Sequence, residues 1–164
     1  GWTRDPAEVS RLSHRKEALY REIARTGHVR LLPGVRELGA ALRALGIPCV
    51  IGTSTHRANL ALSFELFGIG ELFVGAVASE DVTKGKPDPE VFLKACALGG
   101  GEPAASFVFE DSFSGLQAGL AGGFITIALA TTNTRAQLAA SGAHRIVADL
   151  AEVDPRWLAQ GRLD

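Results

Sequence analysis

Residues that could handle a phosphoryl group follow short apolar segments at three places in the chain. Thr53 comes after one apolar run, Lys86 lies in the loop after a second, and Glu110 and Asp111 come directly after a third. A phosphoryl group in transfer spreads charge over its oxygens, so it requires hydroxyl or N–H donors and a fixed cation. Mg²⁺ prefers carboxylate oxygens together with water and phosphate. This set of residue types therefore favours phosphoryl chemistry.

Each of these residues also has an ordinary structural explanation. Thr53 could cap the helix that follows it, and Lys86 could be a solvated loop lysine. Glu110 and Asp111 could stabilise the start of a helix near Ser112, where acidic residues interact favourably with the helix dipole. No residue is specific alone, and their common place after successive strands is what favours a functional site.

The elements that would position these residues alternate between helix and strand. Apolar residues at helical spacing predict helices at residues 7–26, 35–45, 56–67, 89–98, 113–121 and 134–140. Short apolar runs predict strands at residues 48–53, 72–77, 106–110, 124–129 and 145–147. The alternation indicates an α/β fold with three layers, in which helices cover both faces of a Rossmann-like parallel sheet. Ligands of such folds bind beyond the carboxyl ends of the strands.

The composition excludes several classes of function. Hydrophobic residues make up 46% of the chain and charged residues 21%, which is typical of a globular protein. A net charge of −1 implies no bulk attraction to nucleic acid or to anionic membranes. The apolar runs are too short to span a membrane, and the polar N-terminus does not resemble a signal peptide. We therefore expect a cytoplasmic protein in which Cys49 and Cys96 are free, buried thiols.

The motifs in this order resemble the haloacid dehalogenase superfamily, and within it the branch of β-phosphoglucomutase and related sugar-phosphate phosphatases. The strand at 49–53 ends in Thr, the segment at 86–92 begins Lys-Pro-Asp-Pro, and the segment at 109–115 carries the Glu-Asp pair. The lead-in at 32–35 is similar too. Arg15-Lys16 with Tyr20 resembles the last cap helix of the phosphoglucomutase branch. The resemblance covers nearly the whole chain. It implies that residues 1–30 are the C-terminal part of a helical cap and that residues 31–164 are the core.

The resemblance implies a role for each matching residue. Thr53 would hydrogen-bond a phosphoryl oxygen and Lys86 would neutralise charge, with Lys84 as the alternative lysine. Asp111 would bind Mg²⁺, and Glu110 would assist that metal site or orient Lys86. The substrate would be bound by Ser54, Thr55, His56, Arg57, Lys16 and Arg15. A solvated helix face is an equally good interpretation of the last two residues.

One motif of the family is absent from the chain. The family's first motif is Asp-x-Asp-Gly at the end of a central strand, where the first Asp is the nucleophile and the second the general acid/base. No Asp-x-Asp occurs here, no Met occurs, and the chain begins within what resembles the cap. We therefore expect this motif, the central strand and much of the cap to lie in a missing N-terminal segment. The chain alone is expected to be inactive and poorly stable, because the loss of a central strand leaves backbone groups unpaired.

Two functions from different classes follow. The first is a Mg²⁺-dependent phosphatase or phosphomutase that acts on small phosphorylated metabolites, such as sugar phosphates, through an aspartyl-phosphate. The alternative is a truncated or degenerate remnant that binds a phosphorylated ligand or a partner without catalysis. Arg15, Lys16 and Tyr20 favour a mutase, whereas residues 130–135 resemble a region of several phosphatases. A nucleotide-binding Rossmann domain is disfavoured, because no Gly-x-Gly-x-x-Gly follows a strand. The oligomeric state is not indicated.

Overall fold

The computed structural model describes residues 5–161, which alternate between helices and short parallel strands. The helices are α1 (Pro6–Arg25), α2 (Val35–Ala44), α3 (Arg57–Phe67), α4 (Glu90–Leu98), α5 (Phe113–Ala121), α6 (Arg135–Leu138) and α7 (Pro155–Ala159). The strands are β1 (Val50–Gly52), β2 (Gly75–Val77), β3 (Phe107–Glu110), β4 (Ile125–Leu129) and β5 (Arg145–Val147). Single 3₁₀ turns lie at Gly70–Leu72, Ser79–Asp81, Pro103–Ala105 and Leu150–Glu152. The predicted α/β fold is confirmed.

The strands of residues 5–161 form two separate parallel sheets. β1 pairs with β2, and β3, β4 and β5 form the second sheet in that order. A cavity of about 380 Å³ lies between β1 and β3 and is lined mainly by apolar side chains, among them Val50, Phe92 and Val108. One edge strand of each sheet therefore borders the same apolar cavity.

Both faces of the second sheet are covered by helices. Leu38 and Leu42 of α2 pack with Ile127 of β4 and Leu158 of α7. A second cluster of α4, α5 and β3 residues covers the other side. Ile127 is fully buried, and the burial of such a side chain contributes about 1.5–3 kcal/mol. This two-sided burial explains why β4 does not alternate between apolar and polar residues; its one polar residue, Thr126, is buried and donates from its hydroxyl to the Phe124 carbonyl at 3.2 Å.

The observed elements differ from the predicted ones by more than one residue in four places. The strand predicted at 48–53 is only Val50–Gly52. The strand predicted at 72–77 is shorter, because Leu72 ends a 3₁₀ turn and packs against Gly39 of α2, leaving only Gly75–Val77 as a strand. α6 is shorter than the helix predicted at 134–140. α7 was not predicted, although Asp154 caps it and Pro155 begins it, both of which are ordinary helix-start signals.

The turn before α2 requires a glycine. Gly34 has a φ of 84° and precedes the first residue of α2. A Cβ at this position would overlap the backbone of Leu150 and Ala151 in the turn after β5. The Pro33-Gly34 lead-in therefore allows α2 to approach the C-terminal part of the chain closely.

α1 contacts the rest of the molecule through α3. Asp5 caps α1 by accepting a hydrogen bond from the backbone N–H of Ala7, and Pro6 is its first residue. Val9 and Ile23 are about half exposed, whereas Glu17 and Ala24 are buried. The assignment of residues 1–30 to a cap stays a prediction, and residues 1–4 lie outside the described part of the chain.

Candidate functional site

Lys86 joins the carboxyl ends of the two sheets. Its ammonium donates to the carbonyl oxygen of Gly52 at 3.3 Å, at the end of β1, and forms an ion pair with Glu110 at the end of β3. The side chains of Lys86 and Glu110 are only 10% and 11% exposed. The ammonium also lies 4.4 Å from the centroid of the Phe92 ring, a favourable cation–π distance. Lys84, the alternative lysine, is 74% exposed and reaches Asp88 instead.

Both carboxylate oxygens of Glu110 are occupied by protein donors. Oε1 faces Lys86, and Oε2 accepts hydrogen bonds from the backbone N–H groups of Asp111 and Ser112 and from the Ser112 hydroxyl at 2.9–3.2 Å. A Cβ on Gly115 would overlap this carboxylate, so the close approach of α5 requires glycine there. Of the two roles considered for Glu110, this geometry fits the orientation of Lys86 better than metal binding.

The helix after β3 is capped by Ser112 and not by the acidic pair. The Ser112 hydroxyl oxygen accepts a hydrogen bond from the backbone N–H of Gly115 at 3.1 Å. The carboxylate of Asp111 is therefore not used as a helix cap. Asp111 can still interact favourably with the dipole of α5, because it directly precedes the N-cap residue.

Asp111 is held by the loop after β4. Its Oδ2 accepts hydrogen bonds from the hydroxyls of Thr131 and Thr132, and its backbone carbonyl accepts one from the Asn133 amide at 2.9 Å. The sequence-based selection of site residues missed these three. They could have been found by the rule that selected the others, because they are polar residues directly after a predicted strand.

Thr53 begins a loop that is anchored to β2. The backbone N–H of Thr53 donates to the carbonyl of Val77 at 2.9 Å, and the Thr53 hydroxyl oxygen accepts from the backbone N–H of Thr55 at 3.1 Å. The backbone N–H of Ser79 donates to the carbonyl of Thr55 at 3.1 Å. Ser54 is exposed, whereas Thr53 and Thr55 are partly buried. The loop is therefore fixed to both strands of the first sheet.

His56 and Arg57 lie beside an acidic pair. Arg57 donates from its backbone N–H to the Glu80 carboxylate at 3.0 Å and from its guanidinium to Asp81 at 2.7 Å. Nδ1 of His56 lies 3.2 Å from the Ser79 hydroxyl. The pKa of both carboxyls is lowered, mainly by hydrogen bonds from backbone N–H groups. The donor is the N–H of Glu80 itself for the Glu80 carboxyl and the N–H of Ala78 for the Asp81 carboxyl. Arg57 thus has a counterion within the protein.

α1 meets the site through Glu17 and Arg21. Both side chains contact Asn59 of α3. Lys16 is 75% exposed and pairs with Glu17 at 2.7 Å, and this pairing is the main reason why the pKa of Glu17 is lowered. Of the two basic residues of α1 predicted to bind substrate, Lys16 thus pairs with a residue of the contact between α1 and α3, and Arg15 is exposed.

Comparisons with known proteins agree with this arrangement. A model of the haloacid dehalogenase-like hydrolase family matches residues 3–123. The chain belongs to this family. It is 38% identical over 132 residues to protein CbbY of Rhodobacter capsulatus, an alignment that covers 79% of the chain and 58% of that protein. It is 33% identical over 148 residues to the β-phosphoglucomutase of Mycobacterium tuberculosis, covering 87% of the chain and 56% of that enzyme. The chain thus spans little more than half the length of these two relatives.

Solved structures of haloacid dehalogenase-like proteins share the fold. A family IA, variant 3 hydrolase from Entamoeba histolytica is 25% identical with a TM-score of 0.88, covering 96% of the chain and 72% of that structure. CbbY from Rhodobacter sphaeroides in complex with xylulose-1,5-bisphosphate is 27% identical with a TM-score of 0.80, covering 90% and 66%. The predicted resemblance to this family and to its β-phosphoglucomutase branch is confirmed.

Of the two carboxylates predicted to bind Mg²⁺, that of Asp111 accepts hydrogen bonds at Oδ2 from two hydroxyls, whereas both oxygens of Glu110 face protein donors. Residues 5–161 contain no cluster of three or more His, Cys, Asp or Glu side chains that could hold a metal ion by themselves. A single carboxylate nevertheless fits Mg²⁺, because proteins commonly bind this ion through one or two carboxylates while waters and substrate phosphate supply the other ligands.

Within residues 5–161, no helix has the length and apolar character needed to cross a membrane.

Proposed function

We propose that this protein is a Mg²⁺-dependent phosphatase or phosphomutase that acts on small phosphorylated metabolites such as sugar phosphates. The observation that carries the proposal is the position of Lys86, which bridges the ends of β1 and β3 and is paired with Glu110. A mostly buried ammonium at this point provides the fixed positive charge that a phosphoryl group requires. Thr53 and Asp111, which follow the same two strands, add a hydroxyl and a carboxylate.

In the proposed reaction, an aspartate outside the given sequence attacks phosphorus and forms an aspartyl-phosphate. The bond between phosphorus and the oxygen of the leaving alcohol breaks, and the alcohol is protonated. Water in a phosphatase, or a hydroxyl of the substrate in a mutase, then attacks phosphorus and loses its proton, and the bond between phosphorus and the aspartate breaks, which regenerates the carboxylate. Thr53 would donate a hydrogen bond to a phosphoryl oxygen, and Lys86 would neutralise charge on the group. The apolar space between β1 and β3 is consistent with a strand in that position that would carry the aspartate.

The Mg²⁺ ion would be held by Asp111. Its carboxylate lies at the edge of the sheet and is oriented by the hydroxyls of Thr131 and Thr132. When bound, the metal would neutralise charge on the phosphoryl group. Glu110 would act indirectly by holding Lys86.

The names of relatives support the substrate class. The matched proteins include a β-phosphoglucomutase, a chloroplastic phosphatase of 5-amino-6-(5-phospho-D-ribitylamino)uracil, and a CbbY that was crystallised with xylulose-1,5-bisphosphate. The compounds that these names mention all carry a phosphate ester on a small polyol or sugar. We propose the same class for this protein.

A non-catalytic phosphate-binding protein is the alternative, because the given sequence has no Asp-x-Asp. An assay of the complete gene product on a panel of sugar and polyol phosphates separates the two functions. We expect turnover that depends on Mg²⁺ and disappears with a chelator. If phosphate binds but no compound is turned over at any Mg²⁺ concentration, the enzymatic proposal is wrong and the alternative is supported.

A further inference from the structure

A buried asparagine links α1 to the loop that begins at Thr53. Asn59 is only 2% exposed and lies in the first turn of α3, four residues after Thr55. Its Oδ1 accepts a hydrogen bond from the guanidinium of Arg21 at 2.9 Å, and its Nδ2 donates to the carboxylate of Glu17. The same Nδ2 lies 3.4 Å from the hydroxyl oxygen of Thr55.

The charges of α1 fix the orientation of the Asn59 amide. A carboxylate accepts hydrogen bonds and a guanidinium only donates them. Glu17 therefore selects the NH₂ side of Asn59, and Arg21 selects the oxygen side. A rotated amide would place its oxygen against a carboxylate and its NH₂ group against a cation. Two ions of opposite charge thus hold a neutral side chain in one orientation.

The orientation of Asn59 determines which way the loop hydroxyls can donate. Because Thr55 Oγ1 accepts from Asn59, the hydroxyl proton of Thr55 is directed elsewhere. Because Thr53 Oγ1 accepts from the backbone N–H of Thr55, the hydroxyl proton of Thr53 is also available to a ligand. A phosphate oxygen only accepts hydrogen bonds, so a site with two free hydroxyl protons suits it.

We propose that Asn59 is a positioning residue that holds Thr55 as a hydrogen-bond donor toward the phosphate of the substrate. Through Glu17 and Arg21, it also makes this orientation depend on the contact between α1 and α3. The inference rests on the proposed function, since it takes the loop from Thr53 to Thr55 as the phosphate site. It assigns to Asn59 a role that is separate from merely packing α1 onto α3.

Exchanging the carboxylate of Glu17 and the amide of Asn59 tests whether Asn59 positions Thr55 or only packs α1 onto α3. Asn59→Asp removes the donor to both Thr55 and Glu17 and places two carboxylates together. Glu17→Gln combined with Asn59→Asp lets the new amide donate to the new carboxylate, so the contact with α1 is restored. Thr55 still has no donor in this double variant. The exchange leaves the net charge near Lys16, Arg21 and His56 unchanged, so general attraction of phosphate is not altered.

The measurements are the melting temperature and the Kd of inorganic phosphate, determined by calorimetry on the complete gene product. We expect Asn59→Asp to lower the melting temperature and to raise the Kd. The double variant should regain the melting temperature but keep a Kd raised by about three- to tenfold, the scale of one hydrogen bond. Glu17→Gln alone is the control for the loss of this carboxylate: its amide oxygen still accepts from Asn59, so the melting temperature should stay near that of the unaltered protein and the Kd should not rise.

Two results would overturn the inference. One is a Kd that returns to normal together with the melting temperature in the double variant, which would leave Asn59 a purely structural residue. The other comes from Thr55→Val, which removes the hydroxyl: the effect of the charge-neutral Asn59→Ala on the Kd should vanish in that background, and its persistence would contradict the proposal even if the double variant were unstable.

Turnover of the unaltered protein is measured in parallel. If the Kd of phosphate changes in the variants as expected but no substrate is turned over, the positioning role of Asn59 is supported and the enzymatic function is wrong. If turnover is observed and the Kd does not depend on Asn59, the function stands and the positioning role fails. An unaltered protein that binds no phosphate would overturn the positioning role directly.

Discussion

Two groups of ion pairs lie at the strand ends, and they differ mainly in burial. Lys86 and Glu110 are about nine-tenths buried, and protein donors occupy both oxygens of the glutamate. In the other group, Arg57 and Asp81 are 56% and 34% exposed. A buried charge that loses its partner is costly, whereas an exposed pair contributes about 0–1 kcal/mol. Lys86, Glu110 and Arg57 were all selected from the sequence because they follow strands, whereas Asp81 was not, and burial is what separates the two ion pairs.

The largest expected effect is on activity at Lys86. Lys86→Ala in the complete protein should lower kcat by about 100-fold or more, as does the loss of a group that stabilises transition-state charge. Lys84→Ala is the matched control, since the Lys84 side chain is mostly exposed and should leave kcat nearly unchanged. Steady-state kinetics on the best substrate of the panel measure both. Equal losses in the two variants would refute the assignment of Lys86.

The next largest effect is on stability at Glu110. Glu110→Ala leaves the Lys86 ammonium without its counterion in a mostly buried place, so the free energy of unfolding should fall by about 3–5 kcal/mol. Asp81→Ala removes a carboxylate from the exposed group and should lower the free energy of unfolding much less. Urea denaturation of the two variants measures the difference. Similar losses would show that burial does not separate the two groups.

A smaller effect is expected from crowding the buried pair. Gly115→Ala places a Cβ against the Glu110 carboxylate and should lower the free energy of unfolding by about 1–3 kcal/mol, the usual range for overpacking. Gly85→Ala, in the loop before Lys86, meets nothing within 4 Å and serves as the control. A Gly115→Ala variant as stable as the control would mean that Glu110 can move without loss.

The smallest effect concerns pH and the loop that carries Lys86. Hydrogen bonds lower the pKa of Glu90 from 4.5 to about 2. The largest contribution comes from the Lys94 side chain, and the next come from the backbone N–H groups of Lys84 and Thr83. Since the folded pKa lies below the unfolded one, this contribution is complete above pH 4.5 and is lost as the pH falls toward 2. The melting temperature of Glu90→Gln should therefore fall less between pH 5 and pH 3 than that of the unaltered protein. Parallel curves would exclude a contribution from Glu90.

Much of the fold could be predicted because the spacing of apolar residues along the chain reflects which side chains are buried. Helix 113–121 and strand 145–147 were predicted with the bounds that the structure has, since both are short segments between clear turn residues. The strand predicted from Leu72 failed because Leu72 packs against α2, a contact that a local pattern does not contain. Lys86 was preferred to Lys84 through its Pro-x-Pro context, and that preference agrees with the burial of Lys86.

The sequence by itself determined the α/β class, the family and the strand ends at which Thr53, Lys86, Glu110 and Asp111 lie, because the motifs, the succession of helices and strands along the chain and the apolar periodicity are local properties. Only the tertiary structure decided the partner of each charged group. It joined Glu110 to Lys86, Arg57 to Asp81, and Glu17 to Asn59 across 24 to 42 residues of sequence. Such pairs depend on which elements pack together and how deeply, and the identity of the residues alone does not determine either.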